Sequence, residues 1–334
     1  MRSRSVVPIA GAAAVVLALA GAPAVVFASG FQLVEQNASG LGNAYAGQAA
    51  AVRDASAVFY NPANLTRLPG RQFVLAVSPV GVHTEFENAS STAPYLPGAR
   101  VTPIPVPLGT SGGDAGGWVP VPNGYLSWEV GSRTWLGLGV NMPFGLRTEW
   151  DPEFVGRFKA SESEVKTINF NPTVAFKVTD ALSLGAGLNY QGLDATLSQS
   201  VAYGGITLGA AAQAAAATGN PAVVPGVMAL LGTAGLAREG VSPMQGNSWS
   251  WGWNVGASLE IGQAAHLAAS YRSAVQHDVE GEVEFADALS LPTSGPLGPL
   301  GTILNGRFSG GPVTTSIELP QTVSAAASYE GDRV

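Results

Sequence analysis

Residues 248–260 alternate without a slip. Trp249, Trp251, Trp253, Val255, Ala257 and Leu259 share one parity, and Ser250, Gly252, Asn254, Gly256, Ser258 and Glu260 share the other. Side chains along a strand point to opposite faces with period two, so this stretch is a strand with one apolar and one polar side. The pattern recurs. In residues 182–191 the leucines 182, 184 and 188, with Ala186 and Tyr190, oppose Ser183, Gly185, Gly187, Asn189 and Gln191. In 166–178, Ile168, Phe170, Val174, Phe176 and Val178 oppose Thr167, Asn169, Asn171, Thr173 and Lys177. Residues 267–285 read as one more such run, with Leu267, Ala269, Tyr271, Val275, Val279, Val283 and Phe285 on one parity. Its other parity holds Arg272, Gln276, Asp278, Glu280, Glu282 and Glu284.

Two architectures give such strands. A soluble sandwich or barrel turns the apolar side inward, and an outer-membrane barrel turns it toward lipid. Strand length favours the second, because these runs extend over roughly ten to twenty residues, against about five or six in soluble sheets. Short turns such as Thr179-Asp180 and Gly262-Gln263 join some runs, while other connections are long. That asymmetry is the outer-membrane pattern, and the Trp249, Trp251, Trp253 series with Tyr271 suits its aromatic belts. The strand candidates are 72–86, 124–131, 134–140, 161–178, 182–196, 248–260, 265–285 and 313–329, eight in all. The expected fold class is therefore all-β, a transmembrane antiparallel β-barrel.

The start of the chain fits export. Arg2 and Arg4 precede an almost wholly apolar stretch, and Val26-Phe27-Ala28 ends in the small residue a signal peptidase needs. Residues 1–28 read as a signal peptide, with a mature start near Ser29. The chain has no cysteine, so it is not a small disulfide-stapled secreted domain. Charged residues are 12% of the chain and the net charge is -7. With no basic stripe, nucleic acid is not an expected partner.

Residues 29–70 lie between signal and first strand. They hold Ser29-Gly30-Phe31-Gln32-Leu33, then Ser39-Gly40-Leu41-Gly42-Asn43-Ala44-Tyr45, then Asn61-Pro62-Ala63. This stretch is too small and too rich in Gly and Ala to bury a core of its own, so it needs walls around it. The third strand candidate ends at Asn141-Met142-Pro143-Phe144-Gly145. Proline cannot donate to a ladder, so the wall breaks there; the residues alone also allow the start of an ordinary loop.

These segments resemble the FadL/TodX family of outer-membrane transport proteins. The resemblance rests on the Gly-Phe-Gln-Leu, Ser-Gly-Leu-Gly and Asn-Pro-Ala segments quoted above. It continues through residues 141–150 and 166–172, through Trp251-Gly252-Trp253-Asn254-Val255-Gly256 and through Tyr271-Arg272-Ser273, and spans essentially all of 29–329. It implies a fourteen-stranded barrel plugged by an N-terminal hatch. Residues 29–70 would be the hatch and 71–334 the first part of the barrel, about eight strands, in a chain truncated at its C-terminus. The rival expectation is a shortened variant that closes on itself or completes itself as an oligomer.

The resemblance also implies passive uptake of hydrophobic small molecules, such as long-chain fatty acids, across the outer membrane of a Gram-negative bacterium. The ligand would be captured in a groove of the long loops 201–247 and 286–311, formed by Val227, Met228, Leu230, Leu231, Leu297 and Leu300. It would pass to a hatch-side pocket at Phe31 and Leu33 and leave sideways at a third-strand kink, the residues Asn141, Met142, Pro143, Phe144 and Gly145. Asn61, Pro62 and Ala63 read as a motif that shapes the hatch backbone. Where the family's fatty-acid carriers place inward bases, this chain has Gly192-Leu193-Asp194-Ala195-Thr196, which leaves aromatic hydrocarbons open as ligands. The implied partners are the hydrophobic ligand and outer-membrane lipid, and the full-length protein would be a monomer. An open general porin or an adhesin is the alternative. The histidines 83, 266 and 277 are scattered and sit in no nucleophile-elbow or zinc-helix motif. No catalytic residue, cofactor or metal is therefore expected.

Overall fold

The computed structural model describes residues 30–51, 54–88, 109–262 and 264–329. The expected signal peptide (1–28) lies outside them, as does Gln263 of the second expected turn. The described residues from Phe31 onward form one unit.

Within that unit eleven strand segments form one sheet. They are β1 (Arg71–Val82), β2 (Gly117–Gly131), β3 (Thr134–Asn141), β4 (Gly145–Glu149), β5 (Glu162–Lys177), β6 (Leu182–Val201), β7 (Gly240–Ile261), β8 (Ala265–Arg272), β9 (Val275–Val283), β10 (Gly311–Leu319) and β11 (Thr322–Tyr329). Segments β3 and β4 share one partner, β5, and β8 and β9 share β7. Segments β10 and β11 extend along β9 and β8. The sheet is thus eight antiparallel wall strands, three of them broken. Among the described residues β1 pairs only with β2, and β11 only with β8. Short turns join β2 to β3, β5 to β6 and β7 to β8, and the long connections all fall at the opposite end. Helices α1 (Gln48–Ala51) and α2 (Ala57–Tyr60) belong to the N-terminal segment; α3 (Tyr203–Thr218), α4 (Val223–Leu236) and α5 (Gly298–Arg307) belong to the loops. No helix among the described residues is long and apolar enough to cross a membrane.

The two faces of the wall decide its environment. Phe73, Leu75, Leu126, Leu138, Phe170, Phe176, Leu188, Trp251 and Val323 all lie exposed on one face, Phe73 at 68% and Trp251 at 64%. Asn123, Ser127, Asn141, Thr167, Asn169, Asn171, Asn189, Asn254 and Ser258 are buried on the other. A soluble sheet has the reverse arrangement, and an apolar surface this extensive is stable only against lipid. Tyr190 packs at 4.7 Å on Trp249 and 4.6 Å on Trp251, and Trp253 at 5.0 Å on Tyr271, forming an outward aromatic row.

One sequence expectation is corrected here. Residues 265–285 are not one strand with a fixed parity. β8 pairs Arg272 with Asn254, whereas β9 pairs Val283 with Met244, a register shift of one residue across Ser273-Ala274. An extra residue in one strand is a β-bulge, and it exchanges the faces beyond it. Ser273 bridges the bulge: its N–H donates to the Trp253 carbonyl (2.9 Å), and its hydroxyl accepts from the Trp253 N–H (3.0 Å). Val275 and Val279 consequently turn inward and are buried. Glu280 and Glu282 turn outward, opposite Asn247 and Gln245, above the aromatic row. β3 and β4 show the same shift against β5: Asn141 pairs with Asn169, but Gly145 with Lys166. The break at residues 142–144 therefore interrupts a wall strand that resumes beyond it.

The sheet wraps the N-terminal segment. The 3-10 turn Pro62–Arg67 packs on β3, β5, β6 and β7, and α1 packs on β8 and β11. It fits because the wall is stripped of side chains beneath it. A Cβ on Gly137 would sit 2.6 Å from Val58 Cγ2, one on Gly185 2.5 Å from the Ala63 nitrogen, and one on Gly256 would collide with Asn61 Oδ1. Asn61 Nδ2 donates across this interface to the Ala49 (3.0 Å) and Ala257 (3.2 Å) carbonyls, and its Oδ1 accepts from the Ala63 N–H (3.0 Å). Thr66 donates to Ser183 (2.7 Å), and the Trp135 indole donates to the Leu68 carbonyl (2.8 Å). Ala55, Ala57, Val58, Leu65 and Leu68 form a core with Tyr125, Trp135 and Ala175 of the wall. Gly256→Ala is expected to lower unfolding stability in detergent micelles by about 1–3 kcal/mol, the usual cost of overpacking a filled site. Gly117→Ala, where a Cβ meets open space, serves as the neutral control in the same denaturation series.

Candidate functional site

The broken third wall strand and the N-terminal segment meet. The Leu33 N–H donates to the Pro143 carbonyl (2.9 Å), and the Gly145 N–H donates to the Phe31 carbonyl (3.0 Å). Gln32 and Phe144 form an antiparallel bridge. Gln36 Nε2 donates to the Met142 carbonyl (2.9 Å), and the Met142 N–H to Asn123 Oδ1 (3.3 Å). The Phe144 N–H donates to Thr167 Oγ1 (2.9 Å), and its carbonyl accepts from the Thr167 N–H (3.2 Å). Residues at a break in a lipid-facing wall must find partners within the protein, and here the N-terminal segment supplies three of them. Phe144 swings inside, 4% exposed, and packs at 5.7 Å on Phe31. Leu193, Val275, Val279 and Leu319 complete that inner apolar cluster. The sequence reading placed Phe31 and Leu33 in a pocket and residues 141–145 in the wall; the structure brings both groups together.

Toward the short-turn end lies a belt of amides. Asn169 Nδ2 donates to Asn141 Oδ1 (3.1 Å) and Asn189 Oδ1 (3.1 Å), while Asn171 Nδ2 (3.0 Å) and Asn189 Nδ2 (3.1 Å) both donate to Asn254 Oδ1. Arg272 also donates to Asn189 Oδ1. A cavity of about 450 Å³ opens between the N-terminal segment and β7, β8 and β11, and Leu33, Phe59, Tyr60, Asn254 and Arg272 are among its lining residues. Phe31 does not line it. Arg272, Asn189 and Asn254 are the residues that sequence reasoning missed as a group. Their signal was present, since all three sit on the polar parity of alternating strands.

Asn61, Pro62 and Ala63 are buried against the wall and do not line the cavity. In the loops, Val227 and Leu300 are buried, Met228, Leu231 and Leu297 half-buried, and Leu230 exposed. Val227, Leu300, Leu231 and Leu297 pack with Tyr203, Leu304 and Phe308 into one cluster that joins α3, α4 and α5. Arg157 is buried and forms a two-pronged pair with Glu239, at 2.9 Å from both Nε and Nη2. That geometry suits guanidinium and carboxylate, and it ties the connection before β5 to the start of β7.

A wall apolar outside and polar inside, short turns at one end, long loops at the other and a chain segment in its lumen define an outer-membrane β-barrel protein. The chain belongs to the OMPP1/FadL/TodX family, matching the family described as "Outer membrane protein transport protein (OMPP1/FadL/TodX)" over residues 19–332. It is 27% identical over 255 residues to a long-chain fatty acid transport protein of Salmonella typhi, covering 76% of this chain and 52% of that one. It is 29% identical over 304 residues to outer membrane protein P1 of Haemophilus influenzae, covering 83% and 58%. The chain thus spans about half the length of the curated relatives it matches. The crystal structure of a Pseudomonas aeruginosa FadL homologue has the same fold, with a TM-score of 0.63 at 22% identity, covering 91% of this chain and 67% of that one. The protein is one of the Gram-negative outer membrane, in a family of transport proteins rather than enzymes.

At the loop end, His83 Nδ1 and Asp114 Oδ2 are 2.6 Å apart, and Asp114 Oδ1 accepts from the Thr84 (2.8 Å) and Gly116 (2.9 Å) N–H groups. These backbone donors, with His83, hold the Asp114 carboxyl down at about 2, and the bond to Asp114 raises the His83 imidazole above its ordinary 6.5. A raised histidine stabilises the tie fully below pH 6.5 and loses that contribution as pH climbs through its folded value. A depressed aspartate contributes above its ordinary 3.8 and loses it on falling through about 2. The tie is complete between about pH 4 and 6.5 and opens on the alkaline side. An NMR titration should find the His83 midpoint above 6.5, and Asp114→Asn should return it toward that value.

Proposed function

We propose that this protein is a passive route for hydrophobic small molecules across the outer membrane, with residues 29–70 as its hatch. The reading is carried by the break at Met142-Pro143-Phe144, where the N-terminal segment donates hydrogen bonds to the Met142 and Pro143 carbonyls. A wall that only had to be sealed would keep its alternation through residue 149. Here the lipid-facing strand is interrupted, its inner side is apolar at Phe31, Phe144, Leu193 and Val279, and the plug edge lies directly in the gap.

In this reading the loop cluster around Val227, Leu231, Leu297 and Leu300 captures the ligand, with Met228 and Leu230 on its more exposed side. Phe31 and Leu33 guide it past the hatch, and withdrawal of residues 31–36 from Asn141–Gly145 opens a lateral exit. Asn61, Pro62 and Ala63 hold the hatch to the glycine-lined wall while its leading end moves. The relatives named as long-chain fatty acid transport proteins support an elongated hydrophobic substrate.

The chain has no cysteine, so an engineered crosslink can be read cleanly. Gln32 and Phe144 are direct antiparallel partners, a geometry that accepts a disulfide. Gln32→Cys with Phe144→Cys should cut tetradecanoate uptake by whole cells at least tenfold when oxidised, and reduction should restore it. Equal uptake in both redox states would remove the lateral-exit role from this contact.

A further inference from the structure

The lipid-facing side of the wall carries a hollow. On β5, β6 and β7 it dips into a cavity of about 460 Å³, and Pro172, Val174, Ala186, Leu188, Trp253 and Val255 line it. All six side chains are apolar, share the outward parity and are exposed. They stand in two cross-strand rows. Leu188 pairs with Trp253 in one; in the other Ala186, the smallest of the six, stands between Val174 and Val255.

The register ties this hollow to the break. Pro172 and Val174 pair with Leu138 and Leu136 of β3, the strand that is interrupted at Met142-Pro143-Phe144. The break itself faces residues 167–168 of β5, because Asn141 pairs with Asn169 and Gly145 with Lys166. From that height down to Val174 is about 20 Å of strand, at about 3.3 Å per residue.

The surface between break and hollow is aromatic and lies close to the wall. A Cβ on Gly192 would sit 2.9 Å from Trp249 Cη2, so the indole lies across β6 in the space a side chain would take. Trp249 stacks at 4.7 Å on Tyr190 and 6.2 Å on Phe170, with interplanar angles of 25° to both. Phe170 and Trp249 are exposed, and Tyr190 is half-buried between them. On the inner side of the same break stand Phe31 and Phe144.

We infer that the hollow is an exterior docking site for the hydrocarbon chain of the molecule that leaves through the break. The chain passes Trp249 and Phe170 and settles along β5, β6 and β7 before it joins the bilayer. This rests on the transport reading above and extends it to the lipid side of the wall. Between two apolar surfaces in lipid the hydrophobic effect supplies no drive, and packing decides. A concave site touches a chain on several sides, where a flat wall touches it on one, and each added contact contributes dispersion energy. A single chain entering at the break runs along the strands into the groove, whereas a bilayer lipid brings its chains tethered to one head group.

Ala186→Phe fills the hollow from the lipid side and leaves the lumen as it is. Cells carrying the full chain should take up tetradecanoate at least fivefold more slowly with this substitution. Leu126→Phe, an enlargement on the lipid-facing side of β2, should stay within about twofold of wild type. Should Ala186→Phe fail to insert, Trp253→Leu lowers one side of the groove and should slow uptake in the same sense. In nanodiscs, dibrominated stearate should quench tryptophan fluorescence at least twofold more than dibrominated phosphatidylcholine at equal bromine content, and the groove variant should abolish that excess. Wild-type uptake by both groove variants, equal quenching by acid and lipid, or an excess that survives in the variant overturns the exterior site and leaves the transport reading standing. Uptake by wild-type cells no faster than by cells lacking the protein overturns the transport reading, and this site with it.

Discussion

The structure depends on how the backbone at Met142-Pro143-Phe144 is hydrogen-bonded. In a bilayer core an unpaired N–H or carbonyl costs on the order of several kcal/mol, because no water is present to take its place. A barrel normally meets this requirement strand to strand. Here Pro143 removes a donor, the register slips by one residue, and the carbonyls of Met142 and Pro143 are taken up by Gln36 and Leu33. The break in the wall is therefore fully hydrogen-bonded only with the N-terminal segment in position, and the segment packs its core against the wall. Each is a structural part of the other, which is why Phe31 and Phe144 share one cluster although more than a hundred residues of chain separate them.

The same one-residue device lets a single strand serve two environments. Below Ser273-Ala274 the wall presents Tyr271 and Leu267 to lipid and Arg272 and His266 to the interior. Above it, Glu280 and Glu282 face outward and Val275 and Val279 inward. Glu280 and Glu282 lie on the outer face just above Trp249, and an aromatic belt of this kind suits the interface between lipid and water, which keeps the acidic residues in contact with water. The interior becomes apolar at the height where the broken third strand brings in Phe144. No strand has to be added or turned round to make a greasy lumen above a polar one.

The wall was legible in the sequence because its signal is redundant. Six apolar residues in strict alternation from Trp249 to Leu259 leave little freedom, and the eight segments read this way correspond to the eight wall strands found. Pro143 was legible as a candidate break because proline cannot donate to a ladder, although Pro122 and Pro172 sit within continuous strands of the same sheet. The bulge at Ser273-Ala274 was not, since neither residue is excluded from a strand and the parity on both sides looked continuous. Pro320 carried the same warning as Pro143, and the run 313–329 was nevertheless read as unbroken. The partners of the break were hidden for a different reason. Nothing local in Phe31-Gln32-Leu33 says which strand it will pair with, and resemblance to a family supplied a pocket there without the contact. Arg272 could be placed on an inward parity, but its bond to Asn189 emerges only when β6, β7 and β8 stand side by side.

The glycine-lined patch under the N-terminal segment bears on the order in which the molecule is put together. Gly137, Gly185 and Gly256 come from three different wall strands, and the hollow they make has the shape of residues 57–66. Those residues are synthesised first and the wall strands follow. A sheet that curled before receiving them would enclose an unfilled trough, with the Ala257 carbonyl lacking the amide that Asn61 brings to it. The wall strands close around a guest that precedes them in the chain, and the N-terminal segment is the mandrel to which the trough is shaped.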